Sequence, residues 1–126
     1  LDGIASVGVP VKVVDVRKTH VSYILPHLWA QRGVLVAVPT YEGGLFPPAM
    51  DVLMMAERKR VANKAAAYLG SYAWSGGAEA EFRQIAEKMN WQIVNNVPFI
   101  GEPTESDLNQ ARETGIQLAK AVKTLA

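Results

Sequence analysis

Continuous apolar runs that alternate with amphipathic segments are the feature that most restricts how this chain can fold. Val34–Val38 and Ala65–Leu69 are apolar at almost every position, without the polar alternation of a half-exposed strand. A short run of this kind fits a strand that is covered on both faces, which is typical of parallel sheets. We therefore predict an α/β fold in which helices cover both faces of a parallel sheet.

Two further segments complete the predicted sheet. Val9–Val16, with the sequence VPVKVVDV, is rich in β-branched residues and is predicted to form the first strand, and Trp91–Val97 the last. Apolar periodicity and capping residues predict the end of a helix before Gly8, a short helix over 20–29 capped by Thr19, and helices over 49–60, 78–89 and 104–124. Residues 98–103 are predicted as loop. We expect a single domain over 1–126.

Several side chains in these elements have predicted environments. Leu108, Ala111, Gly115, Leu118 and Val122 are expected on the inward face of the last helix. Trp29 and Trp91 are expected in the core or half-buried.

Composition excludes several classes of protein. The 126 residues contain no cysteine, which excludes disulfides, thiolate metal sites and a cysteine nucleophile. The two histidines, His20 and His27, are too few for a histidine-rich metal centre and are expected at the surface. We therefore predict no metal ligands. No catalytic residue is predicted in this chain either. A net charge of +1 provides no field that would attract nucleic acid or an anionic membrane.

Two loops at predicted strand ends are candidates for a binding site. Residues 40–46 and 70–77 are both rich in glycine, and they carry the aromatic residues Tyr41, Tyr72 and Trp74. Glycine allows the backbone to approach a ligand closely, and aromatic rings can stack on a planar molecule. Ligands of open α/β sheets bind at the carboxyl ends of the strands. The alternative is that the aromatic residues cover the sheet end or form a subunit contact.

The sequences PTYEGGLFP over 39–47 and GSYAWSGGA over 70–78, with GEPT over 101–104, resemble the flavodoxin-like domain of flavodiiron proteins (A-type flavoproteins). The resemblance extends over nearly the whole chain. It implies a flavodoxin-like three-layer sandwich with strand order 2-1-3-4-5 and an FMN site between the two loops. The residues that it assigns to the cofactor are Thr40, Tyr41, Glu42, Gly43, Ser71, Tyr72, Ala73, Trp74 and Gly76.

The chain departs from this family pattern in two respects. Relatives often have Asn at the position of Glu42 and Gly at that of Ala73. The family also opens with a central strand and a phosphate-binding loop, whereas Leu1–Gly8 corresponds to the end of the first helix. We therefore expect the domain to be N-terminally incomplete, with its first strand missing from between Val9–Val16 and Val34–Val38.

The resemblance implies a cytoplasmic electron-transfer domain that passes electrons from a reductase or rubredoxin-like donor to an acceptor centre, and it allows a homodimer. No complete catalytic centre is expected in this chain. Two alternatives stay open. One is a flavodoxin-like module that binds no cofactor and serves in assembly. The other is a receiver-type signalling domain, which is disfavoured because Val38-Pro39-Thr40 lacks the acidic residue that would accept the phosphoryl group.

Overall fold

The computed structural model describes residues 1–73 and 76–125 and contains five helices and five strands within them. In chain order they are α1 (Asp2–Ser6), α2 (Val21–Ala30), β1 (Gly33–Ala37), β2 (Thr40–Tyr41), β3 (Gly44–Leu45), α3 (Pro47–Arg58), β4 (Ala65–Tyr72), α4 (Gly77–Lys88), β5 (Gln92–Ile100) and α5 (Glu105–Thr124). Among these described helices, none has both the length and the apolar character needed to cross a bilayer.

The main sheet has three parallel strands in the order β1-β4-β5. Gly33 pairs with Ala65, and Ala65 pairs with Gln92, so the three strands start at the same level. A register shift between Ala66 and Ala67 interrupts the second ladder. Because all three strands are parallel, their carboxyl ends lie at one edge of the sheet, as the sequence predicts for an α/β fold.

Helices cover both faces of this sheet, which confirms the predicted three-layer architecture. On one face α3 and α4 contribute Leu53 and Phe82 to a buried cluster that also contains Tyr68, whose ring stacks on Phe82 at a centroid distance of 5.7 Å. On the other face, Ile4 of α1 and Leu118 of α5 pack against the small alanines of β4. Burial of these apolar side chains is the main stabilising contribution to the fold.

Local sequence features define the ends of three helices. Thr104 and Asp107 form a reciprocal capping box at the start of α5. Pro47 occupies the first turn of α3, where the missing N–H has no helical partner to lose. Gly8 follows α1 with φ +82°, a left-handed conformation that suits glycine.

The prediction of a strand over Val9–Val16 is wrong. Residues 9–15 have no regular secondary structure, and a turn begins at Val16. A strand is defined by its hydrogen-bonded ladder, and β1 is separated from this segment by a cavity instead of being paired with it. High β-propensity alone therefore does not produce a strand here, and Val11 and Val13 stay exposed.

Two boundaries also differ from the predictions. The cap of α2 is His20, not Thr19, because the Nδ1 atom of His20 accepts a hydrogen bond from the Ser22 N–H at 3.2 Å. Strand β5 continues to Ile100 instead of ending at Val97. It includes Pro98, which an edge strand tolerates since one side of its backbone needs no partner.

The predicted burial of two large side chains is wrong. Leu108 is 57% exposed on α5, and Trp29 is 65% exposed on α2. Periodicity identifies the inward face of a helix but not the point along the helix where packing against the sheet begins. Trp91, by contrast, is buried as expected, and both histidines are exposed.

Candidate functional site

A tight hairpin forms the first of the two candidate loops. Thr40–Tyr41 pairs antiparallel with Gly44–Leu45, so Glu42 and Gly43 are the two turn residues. Both have positive φ, +49° and +81° respectively. Positive φ at both central positions is the pattern of a type I′ turn, which matches the twist of a hairpin. Glycine adopts this conformation freely, whereas Glu42 is strained in it.

The start of α4 touches this hairpin and brings the second loop beside the first. A Cβ atom on Gly77 would collide with the Gly43 carbonyl group, so only glycine allows this approach of two backbones. The Leu45 N–H also donates a hydrogen bond to Oε2 of Glu81 on α4, at 3.4 Å. Gly44 leaves the space into which that carboxylate fits. The two candidate loops therefore meet at the carboxyl edge of the sheet.

The Tyr41 side chain offers an aromatic ring at this edge. It is 53% exposed and makes an edge-to-face contact with Phe46, at a centroid distance of 6.2 Å and an interplanar angle of 74°. Phe46 is half-buried and fixes the ring of Tyr41 from one side. The exposed part of the ring remains free to pack against a planar molecule.

A third loop lies beside the end of β4. Tyr72 pairs with Ile100, and the Gly101 N–H donates a hydrogen bond to the Tyr72 carbonyl at 3.2 Å. Ile100 is 67% exposed, and Gly101 has φ +63°. Ser71 and Tyr72 are half-buried. Three segments therefore form the carboxyl edge of the sheet: the hairpin that follows β1, the loop that follows β4 and the loop that follows β5.

Buried polar groups connect the hairpin to the sheet beneath it. The Tyr68 hydroxyl donates a hydrogen bond to the Val38 carbonyl at 2.9 Å, which holds the chain where it leaves β1. Burial raises the pKa of Tyr68, and a hydrogen bond with the Thr40 side chain acts in the opposite direction. Tyr68 therefore stays protonated at neutral pH and acts as a donor. A Cβ atom on Gly70 would collide with both the Val38 carbonyl and the Tyr68 hydroxyl.

An unpaired acceptor lies in the middle of β5, beside the first turn of α4. Oδ1 of Asn96 is buried and has no hydrogen-bond partner within residues 1–73 and 76–125. Nδ2 of the same side chain approaches Oε1 of Glu79 at 3.5 Å, and Glu79 forms an ion pair with Arg83 at 2.8 Å. A buried acceptor without a donor is costly, so this position is suited to a donor that the described residues do not provide.

The structure brings together nearly all the predicted site residues. Thr40, Tyr41, Glu42 and Gly43 lie in the hairpin, and Ser71, Tyr72, Ala73 and Gly76 lie along the path from β4 to α4. Trp74 lies outside the described residues. In the part of the chain that the structure describes, no three potential metal-ligating side chains come together.

The cofactor residues assigned from the sequence leave out four residues that shape this edge, although Phe46 and Gly77 lie within the two predicted loops. Phe46 supports the ring of Tyr41, Gly77 permits contact between the loops, Glu81 binds the hairpin backbone and Ile100 contributes exposed apolar surface. Of these four residues, only Gly77 could have been found from the sequence. Two consecutive glycines stand where α4 begins, in place of a polar capping residue. The other three depend on contacts between distant segments.

Comparisons with known proteins identify relatives over most of the chain. The anaerobic nitric oxide reductase flavorubredoxin of Aeromonas hydrophila is 30% identical over 113 residues, which cover 90% of this chain and 23% of that protein. No model of a known protein family matches the chain. The chain therefore spans about a quarter of the length of that relative.

Solved structures with the same fold include larger proteins, of which this chain covers about a third, and a flavodoxin. The rubredoxin oxygen:oxidoreductase of Desulfovibrio gigas matches with a TM-score of 0.91 and 24% identity, over 97% of this chain and 31% of that one. The flavodiiron protein of Giardia intestinalis matches with a TM-score of 0.83 and 22% identity, over 99% of this chain and 32% of that one. A flavodoxin from Archaea matches with a TM-score of 0.80 and 24% identity, over 97% of this chain and 84% of that one.

The layered sheet and its structural neighbours define the chain as a flavodoxin-like α/β domain. Within that class, the chain is similar to a flavorubredoxin over 90% of its length, and its structural neighbours include flavodiiron proteins. The resemblance inferred from the two loop motifs is thereby confirmed.

Proposed function

We propose that this domain binds FMN at the carboxyl edge of its sheet and relays electrons between a protein donor and an acceptor centre. The contact between the two loops carries the proposal, because it creates one edge with an exposed aromatic ring and glycine-rich backbone. Relatives named flavorubredoxin, and structural neighbours named flavodoxin, support a flavin as the ligand.

The described residues fit a flat, partly polar ring system. Tyr41 offers an aromatic surface, and Gly76 and Gly101 border open space in which a backbone N–H can approach a ligand. Bound FMN would supply the transfer of one or two electrons, while the protein would hold the ring and tune its potential through stacking, hydrogen bonds and nearby charge.

The carboxylates at this edge have a predictable influence. Glu42 is exposed, whereas Glu81 is half-buried and directed at the hairpin backbone. A negative charge close to the ring disfavours a negatively charged reduced flavin and lowers its potential, and exposure to water weakens this effect. Glu81 should therefore influence the potential more than Glu42 does.

Flavin binding is tested on the complete protein that contains this domain. We expect it to be purified with FMN or to bind added FMN, which is measured by absorption and by quenching of FMN fluorescence. Tyr41→Ala should weaken binding about two- to tenfold, since aromatic stacking contributes roughly 0.5–1.5 kcal/mol.

Tyr23→Ala is the matched control. Tyr23 is also an exposed tyrosine, at 71%, but it lies on α2, away from the loops. Equal binding by the control and the parent protein, with weaker binding by Tyr41→Ala, supports the proposed site. A complete protein that neither contains nor binds FMN would instead favour the cofactor-free assembly module.

The resemblance to flavodiiron proteins also suggests a redox partner and an assembly. We propose a reductase or a rubredoxin-like protein as electron donor, a cytoplasmic setting, and a homodimer in which one subunit passes electrons to another. Rapid mixing of the FMN-loaded protein with a reduced rubredoxin should reduce the flavin within a single turnover. Absence of reduction by any rubredoxin or reductase partner would contradict the electron relay but not FMN binding.

A further inference from the structure

A tyrosine in the core reaches the point where the chain leaves the sheet. Tyr68 is 1% exposed, and its ring stacks on Phe82. Its hydroxyl donates a hydrogen bond to the Val38 carbonyl at 2.9 Å and also bonds with the Thr40 side chain. Core packing accounts for the ring, since a phenylalanine would pack in the same way. Burial of a hydroxyl is costly, so the hydroxyl requires an explanation of its own.

The Val38 carbonyl lies just beyond the end of a ladder. The pairing of β1 with β4 ends at Ala37 and Leu69, and the Val38 N–H still donates to the Leu69 carbonyl at 3.1 Å. Positions 68 and 70 are two apart on β4 and therefore lie on the same face of the sheet. A Cβ atom on Gly70 would collide with the Val38 carbonyl, so this carbonyl lies above that face. The chain consequently leaves the plane of the sheet at Val38, on the side of Tyr68.

A carbonyl group that leaves a ladder needs a donor in place of a strand partner. The Tyr68 hydroxyl supplies this donor to Val38. Two residues later Thr40 begins the hairpin of β2 and β3, and its side chain bonds with the same hydroxyl. One hydroxyl on β4 therefore holds both the residue after β1 and the first residue of the hairpin, directly before the exposed ring of Tyr41.

We propose that Tyr68 is a positioning residue of the candidate site, and that its hydroxyl fixes the hairpin where Tyr41 can meet a planar ligand. The hairpin is also held by two contacts from α4, at Gly43 and at Leu45. The contact from Tyr68 differs because it comes from the sheet, so its loss leaves the base of the hairpin free to shift against β4. The inference rests on the proposed function, since it assigns Tyr68 to the same site.

Tyr68→Phe removes only the hydroxyl, and Trp91→Phe is its matched control. Trp91 is also a buried aromatic donor, whose Nε1–H bonds the Val61 carbonyl at 2.8 Å, but it lies at the amino end of the sheet. Hydrogen exchange is measured on the complete protein without added flavin. The amides of Val38 and Leu45 should exchange about two- to tenfold faster in Tyr68→Phe and at the parent rate in Trp91→Phe. Unchanged exchange at both amides in Tyr68→Phe would overturn the proposal.

FMN binding then tests the effect of this position on the ligand. The dissociation constant for FMN should rise about two- to tenfold in Tyr68→Phe, and the visible circular dichroism of bound FMN, which reports the surroundings of its ring, should change. Trp91→Phe should leave both at the parent values although it lowers the free energy of unfolding. Equal weakening in the two variants would indicate a general loss of stability and overturn the positioning role. A parent protein that binds no FMN would contradict the proposed function, and the exchange at Val38 and Leu45 would then decide whether Tyr68 fixes the hairpin.

Discussion

The two ends of the sheet are built on different principles. At the amino end, Trp91 is buried and its Nε1–H donates to the Val61 carbonyl at 2.8 Å, and the Lys64 ammonium donates to the Gln31 carbonyl. Asn63 and Asn90 bond to each other at 2.8 Å and both have positive φ, which asparagine tolerates.

The carboxyl end has the opposite character. Tyr41 and Ile100 are large, apolar and mostly exposed, and Glu42 holds a strained φ of +49°. The comparison teaches that the amino end, named here the closed end, covers the core, whereas the carboxyl end, named here the open end, leaves large apolar and aromatic surface exposed for a ligand.

Trp91→Ala should give the largest loss of stability, because it removes a buried aromatic side chain from the closed end. We expect the free energy of unfolding to fall by about 3–5 kcal/mol. Denaturation by guanidinium measures the change. Trp29→Ala is the matched control, since Trp29 is 65% exposed and its loss should change stability by less than about 0.5 kcal/mol. Similar losses in both variants would refute the burial assigned to Trp91.

Gly77→Ala should disturb the open end through its backbone contact. The added Cβ would collide with the Gly43 carbonyl, so α4 and the hairpin must separate, at a cost of about 3 kcal/mol. Gly76→Ala is the neighbouring control, because no atom lies within 4 Å of the added Cβ and φ is −98°. We expect the free energy of unfolding to fall with Gly77→Ala and to change little with Gly76→Ala, and FMN affinity to fall with Gly77→Ala. Unchanged FMN affinity in Gly77→Ala would show that the ligand does not depend on this contact.

Sequence patterns predict the closed parts of the molecule better than the open edge. The apolar runs of β1 and β4, the caps at Pro47 and Thr104, and the buried Trp91 follow from local chemistry. The prediction failed for Val9–Val16, because a strand requires a neighbour as well as β-branched residues.

The candidate site was predictable in its position but not in its construction. Glycine and aromatic residues after predicted strands indicated where the loops lie. The support of Tyr41 by Phe46 and the bond of Glu81 to the hairpin depend on packing between distant segments, which periodicity does not describe.

Lys64→Met tests the charged group of the closed end. Burial lowers the pKa of Lys64, so the unfolded chain binds more protons than the folded chain between that lowered pKa and about 10.4. The contribution of Lys64 to the free energy of unfolding therefore rises with pH in that window, with a slope of at most about 1.4 kcal/mol per pH unit. Lys64→Met should remove this rise, and the exposed control Lys59→Met should keep it. An equal pH dependence in both variants would contradict the effect of burial.

Glu42→Asn should produce the smallest change and the one expected gain, at the open end. Asparagine followed by glycine is the preferred pair for a type I′ turn, so relief of the left-handed strain should raise the free energy of unfolding by about 0.5–1 kcal/mol. Glu42→Ala removes the same charge without favouring positive φ, and it should give no gain. If the two variants are stabilised equally, charge and not backbone conformation limits this turn. If only Glu42→Asn is stabilised, backbone conformation and not charge limits this turn, as expected where Glu42 holds a conformation that asparagine adopts at Asn63 and Asn90.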